Sequence, residues 1–145
     1  MTVDEARLEA IRSNAAFVMA ELSGVAERRL GYDRASVEWV EGFIERRRAT
    51  SDEAMRDKLV SVLGSYLGEA IRETAGGEWR EVDGHGLGIH FPNDQVCFPF
   101  TKVAKQFESG TEGGESIASF YGICVNFVAT GKLGAAADGE DGGKA

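Results

Sequence analysis

The chain has 145 residues, 43% hydrophobic and 28% charged, with a formal net charge of −8. That length suits one domain, able to bury roughly 68–70% of its unfolded surface without a disulfide or metal. The acidic balance argues against nucleic acid as a partner, since phosphate binding needs a basic face. No segment approaches the about 20 apolar residues that span a bilayer, so no membrane partner is expected either.

The first half of the chain carries helical periodicity. Over residues 3–23, Leu8, Ile11, Ala15, Val18 and Leu22 form a heptad-like stripe, with Met19 beside them. Thr2 and Glu5 have capping-box spacing, and Gly24 is read as the stop. This stripe could pack inward or serve as a homodimer interface running from Leu8 to Leu22. A second helix is predicted over 36–49, with Val37, Val40, Phe43 and Ile44 inward. The run Arg46, Arg47, Arg48 at its end suits the negative pole of a helix dipole.

A third helix is predicted from Ser51 or Asp52 to Ala75, with Met55, Leu59, Val62, Leu63, Tyr66, Leu67, Ala70 and Ile71 inward. It is the most apolar and is expected to lie on a sheet. Gly64 and Gly68 sit four apart on one of its faces. Each costs about 1 kcal/mol relative to alanine, so close approach of another backbone is expected there.

The period then changes to two. Residues 79–82 read as a short strand; Leu87, Ile89 and Phe91 alternate with Gly88 and His90, and Val96, Phe98 and Phe100 with Cys97 and Pro99. Turn-forming residues at 83–86 and 92–94 join these into an antiparallel meander of three or more strands. Pro99 puts the third strand at an edge or ends it. In this register Arg80, His90 and Cys97 would share one face. Thr101 is read as capping a short helix to Glu108, and a last helix is expected over 115–129. Residues 1–131 thus form a single domain, and 132–145, acidic and rich in Gly and Ala, a disordered tail. Helices and strands segregate, which predicts an α+β fold with helices packed on one face of the small sheet.

Chemistry is sparse. His85, His90 and Cys97 match no zinc spacing, so no metal is expected. Cys97 and Cys124 lie in apolar stretches without the positive neighbours that activate a thiolate, and read as buried, reduced residues. The glycines at 84, 86 and 88 precede a strand where a dinucleotide fingerprint needs a helix. No catalytic set converges, and no cofactor is expected. Glu69, beside Gly68 and three residues before Arg72, is a candidate hydrogen-bonding acid. With Trp79 and His90 it would line any pocket between the third helix and the sheet.

Residues 63–69 (LGSYLGE), followed by Gly76-Gly77-Glu78-Trp79 and by residues 98–103 (FPFTKV), resemble small bacterial α+β proteins of unassigned function. Similar arrangements occur among accessory and immunity-type proteins that bind another protein. The resemblance covers residues 59–128 and carries over no catalytic residue.

The expected function is therefore a non-enzymatic cytoplasmic interaction protein, an adaptor, regulatory or immunity-type factor whose acidic surface meets another protein. An acidic surface speeds encounter with a basic partner. The alternative is a small-molecule binder or small enzyme using the pocket of Glu69, Trp79 and His90. The N-terminal ten residues carry acids and no apolar core, so no signal peptide is expected and the compartment reads as cytoplasmic.

Overall fold

The computed structural model describes residues 3–131; the predicted tail at 132–145 and the Thr2 cap lie outside them. Helix α1 spans Glu5–Ala26 and α2 spans Arg34–Arg48. Helix α3 covers Glu53–Ala75, followed by strands β1 (Glu78–Val82), β2 (Gly86–His90) and β3 (Val96–Cys97). Helix α4 covers Pro99–Ser109, a 3-10 turn Thr111–Gly113, α5 Ile117–Ile123, and a π-helical turn Cys124–Val128. The sheet is an antiparallel meander in the order β1-β2-β3, so the α+β architecture stands.

Aspartates start the first three helices. Asp4, Asp33 and Asp52 accept hydrogen bonds from the amides of Arg7, Ser36 and Met55 at 2.9, 2.8 and 2.8 Å, each satisfying an amide that has no partner within its helix. The boundaries shift accordingly. Helix α1 runs through Gly24 and stops at Glu27, whose φ is 58°. Helix α2 begins two residues before Ser36, and the Ser36 hydroxyl accepts the Gly31 amide instead. Helix α4 begins at Pro99, whose missing N–H suits a first turn; Thr101 does not cap it. The last helix opens at the Ser116 cap and widens into the π-turn.

Helix α3 is the hub. Every residue from 63 to 71 is buried, and α1, α2, α4, α5 and β2 all contact it. A helix buried all round must lie inside the fold rather than on its surface. Leu59 and Val62 are half-buried, while Met55 projects to solvent from the first turn, against expectation. On α1, Ile11, Ala15, Val18 and Leu22 are buried and α1 packs on α3. The stripe therefore faces the chain's own core. A homodimer seated from Leu8 to Leu22 would have to displace that packing.

Strand register corrects one face. Trp79, Ile89 and Cys97 are cross-strand partners, and all three are buried toward the helices. Arg80, Gly88 and His90 take the other face. Cys97 does not join Arg80 and His90, because β3 enters the ladder one residue out of the predicted phase. Strand β3 lies at the edge and ends just before Pro99.

A polar seam joins α2, α4 and α5. Gln106, fully buried, donates to Glu45 Oε2 at 2.7 Å and accepts the Ile117 amide at 2.9 Å. Glu41 Oε1 accepts the Ala118 amide at 3.1 Å and Glu45 Oε2 the Thr111 amide at 3.1 Å. Carboxylates there favourably meet the positive ends of α5 and the 3-10 turn. At the other pole, Arg48 donates to the carbonyls of Phe107 and Glu108 near the end of α4, and Arg56 to that of Arg48 at the end of α2.

Candidate functional site

Gly64 and Gly68 form a notch in α3, filled by aromatic rings rather than by a backbone. A β-carbon at Gly64 would fall on the Phe100 ring, and one at Gly68 on the Trp79 ring, both inside 3.0 Å. The two rings meet with centroids 5.5 Å apart. Trp79 is drawn down by a polar anchor: its Nε1 donates to Glu69 Oε2 at 2.8 Å. Arg72 Nε donates to the same oxygen at 3.0 Å. Glu69 is only 4% exposed, so a buried carboxylate is held by an indole and a guanidinium. Burying that charge is tolerable because both partners donate to it.

Glu69 and Trp79 thus come together, with Arg12, Arg72 and Glu78, around a small cavity of about 220 Å³. His90 is not part of it. It lies on the opposite face of the sheet, where Nε2 sits 3.3 Å from Asp94 Oδ1. The predicted trio is split because Trp79 and Ile89 pair across the ladder, sending the next residue outward.

A larger cavity, about 550 Å³, lies between α1, α3, the β1–β2 turn and the start of α4. Arg7, Asn14, Ser65 and His85 supply polar groups over a floor that includes Ile11 and Phe100. Arg7 is tied to Glu81 at 2.8 Å, and Asn14 Nδ2 donates to Ser65 Oγ at 3.4 Å. Sequence reading missed this site because its lining comes from four separated segments.

The C-terminal part of α2 carries an aromatic pair, with Phe43 in the core and Trp39 half-buried against it. Here Trp39 and Phe43 stack with centroids 6.1 Å apart. The Arg46 guanidinium lies 5.3 Å over Trp39, and that of Arg47 5.1 Å over Phe43. Neither arginine forms an ion pair among the described residues. The spacing of Trp39, Phe43, Arg46 and Arg47, three or four residues apart, was the available signal.

Cys97 and Cys124 are both free and buried, and they line one cavity. A hydrogen bond with Cys97, together with burial, pushes the Cys124 thiol well up. Among the described residues no group of three or more His, Cys, Asp or Glu is arranged to hold a metal, and no helix is long and apolar enough to cross a membrane. Comparison with protein-family models, curated proteins and solved structures found no match.

Proposed function

We propose that the chain is a non-enzymatic interaction protein that docks an acidic segment of another protein at the C-terminal end of α2, where Arg46 and Arg47 are exposed. The observation that carries this reading is the pair Arg46 and Arg47, unpaired with any acid among the described residues and laid over Trp39 and Phe43. Other described cations, Arg29 and Lys58 among them, also lack an ion pair; Arg46 and Arg47 are distinguished by the aromatic ring beneath each. Tryptophan and arginine dominate binding hot spots. Rings that hold the guanidiniums in place reduce the side-chain entropy lost on docking. The partner's sign follows from charge complementarity, which the acidic-surface expectation assigned the other way. The protein is taken to be cytoplasmic, in keeping with two reduced cysteines.

The test is a pull-down from the native host with tagged wild type and with Arg46→Glu/Arg47→Glu. One partner recovered near stoichiometry by the wild type and lost with the charge-reversed variant supports the reading. Recovery unchanged or increased by the reversal would sink it and return attention to the acidic surface. A second reading, binding of a small molecule, is favoured by the cleft of about 550 Å³, a volume within the range of roughly 300–1,000 Å³ usual for ligand sites. Thermal-shift screening of metabolites separates the two, since Arg46 and Arg47 do not line that cleft.

A further inference from the structure

We propose that the cavity between β3, α4 and the π-turn binds a small free monocarboxylic acid with an apolar alkyl or aryl body. The cavity holds about 310 Å³ and is lined mainly by apolar side chains, among them Phe98, Phe120, Ile123 and Val128, with Cys97 and Cys124. Its polar groups are Thr101, Lys102 and Lys105. An apolar chamber whose charged lining groups, among the described residues, are both ammoniums selects one chemistry, an amphipathic anion.

Charges around the rim favour a single carboxylate. Glu115 takes Lys102 at 2.6 Å, and the Lys102 ammonium also lies 6.0 Å over the Phe120 ring. Lys105 forms no ion pair among the described residues, though its charge also acts on Glu115; two ammoniums against one carboxylate leave one net positive charge, with the Thr101 hydroxyl, for the acid group. Two further observations point to the same place. Ile123, which lines the cavity, is 42% exposed, one of the few large apolar side chains left in water among the described residues. The wall continues through Cys124 and Val128, where the chain leaves α-helical geometry for a π-turn, a distortion that recurs at functional sites. The volume fits one small molecule rather than the face of a docked helix. The net charge of −8 opposes an anionic membrane surface. None of Trp39, Phe43, Arg46 and Arg47 lines this cavity, so it stands apart from the partner surface proposed above.

The experiment titrates decanoate into the full chain by calorimetry, beside decanol and vesicles of anionic phospholipid, with Lys105→Glu and Ile123→Asp as variants. Saturable one-to-one binding of decanoate is expected. Lys105→Glu should weaken it about tenfold, the equivalent of about 1.4 kcal/mol, and Ile123→Asp should abolish it. Both positions are exposed, so folding is preserved, which a thermal melt checks. A second readout uses the cysteines in the cavity wall: saturating decanoate should slow their modification by a thiol reagent severalfold. Decanol binding as well as decanoate, or Lys105→Glu binding unchanged, would overturn the carboxylate assignment. Preference for vesicles, or no saturable binding by folded wild type, would overturn the site itself.

Discussion

Replacing Gly68 with alanine adds one methyl group to α3 at the point where Trp79 enters. In a free helix that change is favourable by about 1 kcal/mol. Here the new β-carbon would fall on the six-membered part of the Trp79 indole and within 3.3 Å of the Pro99 ring. Overpacking of a core costs about 1–3 kcal/mol. The indole can yield only by swinging away from α3, and that breaks its hydrogen bond to Glu69 Oε2. A hydrogen bond to a charged group contributes about 1.5–3 kcal/mol, and Arg72 alone would then hold a carboxylate that is 4% exposed. Gly68→Ala is therefore expected to lose about 2–4 kcal/mol, a drop in Tm on the order of 10 °C for a chain of this size. Gly24→Ala is the control. Gly24 also lies inside a helix, but nothing lies within 4 Å of its added β-carbon, so it should gain up to about 1 kcal/mol. Urea denaturation measures both, with an unchanged m-value showing that only stability has moved. If Gly68→Ala were as stable as wild type or more so, the notch would not be the reason for this glycine.

Two further outcomes test other parts of the fold. Gln106→Leu should destabilise by about 2–4 kcal/mol, because it leaves the buried Ile117 amide without an acceptor and takes a donor from Glu45; faster hydrogen exchange at the Ile117 amide would locate the loss. Asp33→Ala should cost about 1 kcal/mol at neutral pH by removing the α2 cap. Hydrogen bonds from the side chain and backbone of Ser36 hold the Asp33 carboxyl below its usual range. The cap's contribution is therefore present above the ordinary aspartate value of about 3.9 and is lost as the pH falls through the lower folded value. Melting curves of wild type and Asp33→Ala should converge on acidification, and a gap constant to low pH would refute the assignment.

Local signals were strong where neighbours in sequence are neighbours in space. The periodicity of Ile11, Ala15, Val18 and Leu22 marked α1, the switch to period two marked the meander, and Gly76 and Gly77 marked the end of α3, at φ of 89° and 91°. The pairing of Glu69 with Arg72 was also legible, since both lie on one helix face. Other features depended on partners far along the chain. Whether the α1 stripe met its own core or a second copy was decided by the packing of α3. The glycine notch showed only an unexplained gap in α3 until Trp79 and Phe100 filled it. Cys97 parted from Arg80 and His90 because ladder register is a property of paired strands, and a shift of one residue exchanges the faces. The seam of Gln106 with Glu41 and Glu45, and the chamber shared by Cys97 and Cys124, join segments with no common period. Periodicity in a sequence reports which side of an element turns away from water. Which polar group meets which across the interior depends on how the elements dock, and only the tertiary structure decides that.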